Sequence, residues 1–313
     1  MKNNYAFVFP GQGSQYVGMG ADLHATAPLL DRLLRRAEEL TGQDIAGAML
    51  TGPQERLTDT VATQLSVFAL SVSLAEALVE RGVRPVAVAG HSLGEYAALV
   101  TGGWLDVDDA LTTVARRAEA MRACCAETEG AMSAVLGLPP EVTTEIAASS
   151  GGEAVVANAN SPRQSVISGT GDAVRHLSSV ALERGAKAVV PLEVDGAFHS
   201  PLMTPAETRL APLVAELPLR RGDVPLISGI SGDIVTDPEA YRALLARQIT
   251  STVRWSKVME RLRALPAGAF LEVGPGQVLR GLFRHADRRT PVTCCGSYAE
   301  VVSLTGASAP LAA

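Results

Sequence analysis

The pentapeptide Gly90-His91-Ser92-Leu93-Gly94 follows the apolar run Val86-Ala87-Val88-Ala89 and leads directly into Glu95-Tyr96-Ala97-Ala98-Leu99-Val100. The run before it suits a buried strand, and the stretch after it suits a helix. Strand, G-x-S-x-G turn and helix together are the layout of a nucleophile elbow. A turn this sharp favours glycine at its flanks, where a Cβ would strike neighbouring backbone. It presents one hydroxyl, that of Ser92, at the mouth of a parallel sheet, as an acyl acceptor. The plain alternative is a tight connection of small residues, which a chain with 29 glycines can form without any chemistry.

The chain has 313 residues, room for one large domain or one domain with an insertion. Aromatic residues are only 4%, so a core has to be built mainly from Ala, Val and Leu. A net charge of −6 argues against a nucleic-acid or membrane-surface role. An acidic protein partner would need a local basic patch. The four cysteines form two adjacent pairs, Cys124-Cys125 and Cys294-Cys295, without C-x-x-C spacing or a nearby histidine. They read as free thiols in a reducing compartment. After Lys2 the apolar stretch 5–9 is stopped by Pro10, too short for a signal-peptide core. No window is expected to approach the length of a membrane span, and a cytoplasmic location is expected.

Strands alternate with helices, which argues for an α/β fold with a parallel, helix-covered sheet. The expected order is strand 5–9, loop 10–15, helix 28–40, helix 61–81 ending at Gly82, strand 86–89, the elbow with its helix, and helix 107–126. Leu29, Leu30, Leu33, Leu34 and Ala37 should form the apolar face of the first helix. The rhythm then changes. Strand 131–138, helix 141–149, short strands 154–157 and 164–168, helix 172–184 and strand 187–194 give the β-α-β-β-α-β order of a ferredoxin-like unit. Between the two short strands, Asn158-Ala159-Asn160-Ser161-Pro162 reads as a loop. Helix 205–216, strand 225–228, helices 237–247 and 256–265, strand 270–273 and a final helix from Gly276 complete the chain. Residues 1–129 and 196–303 are therefore expected to form a large α/β-hydrolase-like domain, residues 130–195 an inserted ferredoxin-like subdomain, and residues 304–313 a frayed tail.

A serine nucleophile needs a base and an oxyanion hole. Of the five histidines, His24 and His176 sit in helix-like segments, His91 should face away from its neighbour on the elbow, and His285 follows a basic run. His199, in the loop Asp195-Gly196-Ala197-Phe198-His199-Ser200-Pro201, is the best placed, and a structural loop histidine is the alternative. The amide of Leu93, at a helix start, suits an oxyanion donor. Gly11-Gln12-Gly13, after the first strand, suits the second donor because glycines allow close approach. A phosphate cradle or a plain turn is the competing reading.

Five motifs then fall into one order: Phe9-Pro10-Gly11-Gln12-Gly13-Ser14-Gln15, Gly90-His91-Ser92-Leu93-Gly94-Glu95-Tyr96, Asn160-Ser161-Pro162 with Ser168-Gly169, Phe198-His199-Ser200, and Glu272-Val273-Gly274-Pro275-Gly276. Over about residues 4 to 290 the chain resembles the malonyl-CoA:acyl-carrier-protein transacylases and the related acyltransferases of polyketide synthases. The resemblance implies that Ser92 forms the acyl-enzyme and that His199 is its base, then the acid for the leaving thiol. It also implies that the main-chain carbonyl of Gln248 orients His199, and that the amides of Gln12 and Leu93 are the oxyanion donors. Gln64 matches a position near the pocket, with Leu65 where the family often has Pro.

By the same resemblance Arg117 clamps the free carboxylate of the malonyl group, which a guanidinium fork can pair at both oxygens. Without the family register it would pass for a solvated helix arginine near Arg116 and Arg122. Phe198 resembles the residue of malonyl-selective polyketide acyltransferases, and many fatty-acid enzymes of the family have Ser there. That departure points to a stand-alone acyltransferase of a polyketide pathway, with a fatty-acid role as the alternative. The implied partner is an acidic acyl carrier protein bearing phosphopantetheine. Arg280, Arg284 and Arg288, at i, i+4 and i+8, are a candidate docking stripe, and a solvated basic face is the alternative. The expected reaction is a two-step transfer from malonyl-CoA through Ser92, with no metal or permanently bound cofactor. The rival readings are an acyl hydrolase clearing carriers, a non-catalytic docking module, and malonyl transfer to a malonate decarboxylase carrier subunit.

Overall fold

The computed structural model describes residues 4–24 and 26–306. Among these residues nine strands are interspersed with helices: β1 (Tyr5–Phe9), β2 (Pro85–Gly90), β3 (Ala131–Leu136), β4 (Ala154–Ser161), β5 (Gln164–Gly169), β6 (Ala188–Pro191), β7 (Leu226–Ile227), β8 (Ala269–Val273) and β9 (Val292–Cys295). They make two sheets. The larger is parallel, in the order β7-β2-β1-β8-β9, and the smaller is antiparallel, in the order β4-β5-β3-β6.

β1 is apolar at consecutive positions because both faces of its sheet are covered. Phe7 and Phe9 point to one side, towards buried residues of helices Pro28–Thr41, Thr60–Glu80, Gly94–Thr101 and Val107–Glu127. Ala6 and Val8 point to the other, where they meet Trp255, Val258, Met259 and Phe283. In the small sheet β3 alternates. Val135 joins the core under helices Pro140–Ala148 and Gly171–Glu183. Met132 and Ala134 face Met121, Phe198, Met203 and Ile249 instead. The small sheet thus has one face under its own helices and the other against the large sheet's layer.

The chain path puts the ends of two neighbouring strands together. β1 leads into the Gly11-Gln12 loop, and β2, its parallel neighbour, leads into the elbow. The helix then starts at Gly94, packed so closely that a Cβ there would overlap the carbonyl oxygen of Phe9. A Cβ at Gly90 would overlap the backbone of Gly94.

Several expectations are corrected. β4 runs through Asn158-Ala159-Asn160-Ser161, read as a loop, because these residues ladder with β5 and because Asn158 also bridges Val253. The strands expected at 131–138 and 187–194 stop at Leu136 and Pro191. Short helices Ile45–Leu50 and Gln54–Thr58 were not anticipated, being only one to two turns long. The helix near Gly276 is not the last: Val278–Ala286 is followed by β9 and by helix Tyr298–Thr305, which lies partly in the stretch expected to fray. Residues 307–313 and Lys2 lie outside the described residues. Helix Thr60–Glu80 has the length and composition to cross a membrane, against expectation, yet 94% of its apolar window is buried inside the protein. It is apolar all round because other elements surround it.

Two glycines should respond oppositely to alanine. Gly94→Ala should lower the unfolding free energy by about 2 kcal/mol or more, since its clash is with backbone that cannot swing aside. Gly281→Ala, inside helix Val278–Ala286 with open space around it, should raise stability by roughly 0.5–1 kcal/mol. Urea denaturation of both variants reads the difference, and shifts of the same sign would contradict this account of the elbow.

Candidate active site

Two non-glycine residues have positive φ among the described residues, Ser92 at 52° and His199 at 58°. Such conformations persist where the surroundings over-determine them, and they cluster at functional sites. Here they occur in one pair: Ser92 Oγ lies 2.7 Å from His199 Nε2. The strain at Ser92 comes from the elbow. His199 is held by its own amide, which donates to the Ile249 carbonyl, and by its ring. Nδ1 lies 3.0 Å from the carbonyl oxygens of both Gln248 and Ser251. Two acceptors fix the tautomer: Nδ1–H donates to them, which leaves the Nε2 lone pair facing the Ser92 hydroxyl. Burial, with the positive charge of Arg117 and the ring of His91 nearby, pushes the His199 pKa down to about 3. The imidazole is therefore a neutral base across the physiological range.

Arg117, on helix Val107–Glu127, is 1% exposed. Its Nη2 donates to Ser92 Oγ at 3.0 Å and its Nη1 to Gln64 Oε1 at 2.6 Å. Its Cζ lies 5.9 Å from the Tyr96 ring centroid. Gln64 Nε2 in turn reaches the sulfur of Met121 at 3.5 Å. Among the described residues no carboxylate forms an ion pair with Arg117. Its burial therefore lacks the usual compensation and holds its pKa below the ordinary guanidinium value. A buried guanidinium aimed at a nucleophile and short of an anion is suited to a substrate carboxylate.

Ser92, His199, Arg117, Gln12, Leu93 and Phe198 line one cavity of about 100 Å³, with Met121, Met132, Leu192 and Val194 forming its apolar wall. Among the described residues, neither the Gln12 nor the Leu93 amide donates to a backbone acceptor outside the regular helices and strands. Gly11 lies against the His91 carbonyl, where a Cβ would sit 2.6 Å from the oxygen. The absence of that Cβ brings the Gln12 loop up to the elbow. The arrangement can deprotonate a serine, stabilise an oxyanion and pair an acyl group's carboxylate. Among the described residues no group of three His, Cys, Asp or Glu could hold a metal ion.

The structure also departs from sequence expectation here. His91, expected to face away from its neighbour, is nonetheless among the residues around the cavity. It bonds Asn160 Oδ1 through Nε2 at 2.9 Å and packs edge-on against Trp255. The strand β4, rather than a loop, supplies that asparagine. His24 lies in a turn segment and pairs with Asp31, while His176 and His285 are exposed on helices away from Ser92. Arg288 is past the end of helix Val278–Ala286, so the basic stripe is not one continuous helical face. Arg280 is half-buried against Gln277, Arg284 and Arg288 are exposed, and none of the three lines the cavity. Three site features escaped sequence reasoning. They are the Ser251 carbonyl, which any residue type could supply, the Asn160 contact, and Glu95, which as a first-turn acid carries no distinguishing pattern.

A family model described as "Acyl transferase domain" matches residues 6–299. The chain is 40% identical over 287 residues to the malonyl CoA-acyl carrier protein transacylase of Bacillus subtilis, covering 91% of this chain and 90% of that protein. The solved malonyl CoA-acyl carrier protein transacylase of Coxiella burnetii superposes with a TM-score of 0.92 at 33% identity, covering 98% of both chains. A chain in a complex of a type II PKS acyl-carrier protein with its malonyl-transacylase gives a TM-score of 0.91 at 33% identity, covering 97% of this chain and 99% of its own.

The His199 geometry has a pH consequence. A base whose pKa is depressed stays neutral as the pH falls through 6.5. Inactivation by a neutral serine reagent such as phenylmethylsulfonyl fluoride should therefore keep its rate from pH 8 down to about pH 5, corrected for the reagent's own hydrolysis. A half-maximal rate near the unperturbed histidine value of about 6.5 would rule out this environment for the base.

Proposed function

This chain belongs to the acyl transferase domain family, and from that premise we propose that it moves a malonyl group from malonyl-CoA to the phosphopantetheine thiol of an acyl carrier protein through an ester on Ser92. One observation carries the choice of acyl group: the buried Arg117 guanidinium, 3.0 Å from Ser92 Oγ and without a carboxylate partner in the protein. An acetyl group would leave that charge unpaired in a dry pocket, whereas the malonyl carboxylate accepts from the fork.

The steps follow from the placement of the groups. The malonyl carboxylate draws the guanidinium off Ser92 Oγ, which frees a lone pair for attack. As the Oγ–carbonyl bond forms, the hydroxyl proton passes to His199 Nε2, and the carbonyls of Gln248 and Ser251 stabilise the imidazolium through Nδ1–H. The amides of Gln12 and Leu93 receive the developing oxyanion. Collapse of the intermediate breaks the carbonyl–sulfur bond, His199 returns the proton to sulfur, and CoA leaves as the thiol. The carrier's thiol then repeats the sequence in reverse, losing its proton to His199 as it attacks the Ser92 ester. Phosphopantetheine belongs to the partner, and no other cofactor enters the scheme.

Phe198, 6% exposed in the cavity wall, leaves little space beside the acyl α-carbon and favours malonyl over branched analogues. With Phe in this position we read the chain as an acyltransferase of polyketide synthesis, with fatty-acid synthesis as the alternative. A cytoplasmic location fits its use of CoA thioesters. The exposed Arg284 and Arg288 are the remaining candidates for contact with an acidic carrier.

Intact-mass measurement with a panel of acyl-CoAs tests the scheme. Ser92→Ala should form no malonyl adduct. Arg117→Ala should lower kcat/KM for malonyl-CoA by at least 100-fold and raise the acetyl-to-malonyl loading ratio, through loss of a charge-assisted pair. A variant that still strongly prefers malonyl would remove the clamp assignment. Phe198→Ala should raise methylmalonyl loading relative to malonyl by about 10-fold or more, the scale of one methyl group in an apolar pocket. An unchanged ratio would place the steric filter elsewhere.

A further inference from the structure

Directly beneath the reacting pair lies a carboxylate with no part in the scheme above. Glu95 is in the first turn of the elbow helix, three residues after Ser92, and is fully buried. Its Oε1 accepts from the Gly229 amide at 2.9 Å, and its Oε2 accepts from Gln248 Nε2 at 2.6 Å. The other hydrogen of Gln248 Nε2 goes to the Ser92 carbonyl oxygen at 3.1 Å. Both amide hydrogens of Gln248 are thus used, and each ends on an elbow residue. The main-chain carbonyl of the same Gln248 accepts from His199 Nδ1.

We propose that Glu95 is a positioning residue, whose carboxylate locks the Gln248 side-chain amide and thereby fixes the Gln248 carbonyl that orients His199 towards Ser92. The proposal rests on the reading of Ser92 and His199 as the acylating pair. A flipped Gln248 amide would set its oxygen against two acceptors, the Ser92 carbonyl and Glu95 Oε2. The carboxylate therefore permits one orientation, and a neutral amide at position 95 would not. Gln248 lies in the short 3₁₀ turn Gln248–Thr250, which has few bonds of its own to hold it. Through its two ends, this residue ties the elbow and the His199 loop to one rigid point. Burial raises the Glu95 pKa, and the hydrogen bonds from Gln248 and Gly229 favour the anion. An apolar side chain would fill the same space without that desolvation, so packing alone does not account for an acid here.

The test uses the full chain and single-turnover malonylation of Ser92, followed by intact mass, with melting curves confirming that each variant is folded. Glu95→Gln, of the same shape, should slow acylation by about 100-fold, the scale of a small misplacement of a catalytic group. Its KM for malonyl-CoA should stay within about twofold. Gln248→Met should slow the reaction to a similar extent and serves independently should Glu95→Gln fail to fold. The double variant should be no more than about twofold slower than Gln248→Met alone, because both changes cut one chain of contacts. A wild-type rate in either single variant, a defect confined to KM, or multiplicative loss in the double variant would overturn the proposal. Ser92→Ala is run alongside. Adduct persisting there would sink the acylation reading itself, whereas adduct lost there with Glu95→Gln at full rate would sink only the role of Glu95.

Discussion

Backbone lies against backbone where β2 turns into its helix, and the site depends on that approach. Gly94 sits under the Phe9 carbonyl, Gly90 under Gly94, and Gly11 against the His91 carbonyl, each in space that a Cβ would occupy. Close packing of these three positions brings two strand ends to one crevice. Leu93 and Gln12 then line the same small cavity, and Ser92 is forced into the left-handed region of the backbone map. That strain is supportable because the surrounding core is close-packed: β1 is buried on both faces from Ala6 to Phe9, and helix Thr60–Glu80 is buried along nearly its whole length.

On this frame the protein places charge where water is nearly absent. An isolated buried guanidinium costs several kcal/mol after relaxation, as an order of magnitude. Arg117 offsets part of this with Gln64, Ser92 and the face of Tyr96, all of them neutral. What remains uncompensated is available to a ligand. The same charge helps to keep His199 unprotonated. In the proposed reaction, a carboxylate arriving at Arg117 would neutralise that charge and raise the basicity of His199 as the proton moves.

The small antiparallel sheet closes the crevice. One face of β3 is covered by the sheet's own helices, and the other delivers Met132 to the cavity wall beside Phe198 and Met121. β4 continues past the expected loop to set Asn158 in the cavity lining and Asn160 against the His91 ring. Its extra length comes from pairing with β5 on one side and bridging to Val253 on the other. β5 follows at once in a hairpin, but Val253 lies far along the chain, and a strand completed by so distant a partner leaves the polar Asn-Ala-Asn stretch reading as a loop.

Local pattern was enough for much of the architecture. The apolar runs at 5–9 and 86–89, the glycines flanking Ser92, and the 3.6-residue periodicity of the first helix each encode a local conformation. The ferredoxin-like order followed from the succession of short elements. Ser92 was legible because the elbow is a local constraint, and the family register pointed to His199, Arg117 and Gln248. β9 was not legible, since a four-residue edge strand is defined by its neighbour β8 rather than by its own pattern. The sequence by itself determined where backbone can turn sharply and which side chain each turn presents. Tertiary structure alone decided what stands opposite: the two carbonyls at His199 Nδ1, the Asn160 partner of the His91 ring, and the Glu95–Gln248 link across 153 positions. The physical reason is that a turn's conformation is set within a few residues, whereas a hydrogen-bond partner is set by packing, which brings together segments that carry no trace of one another.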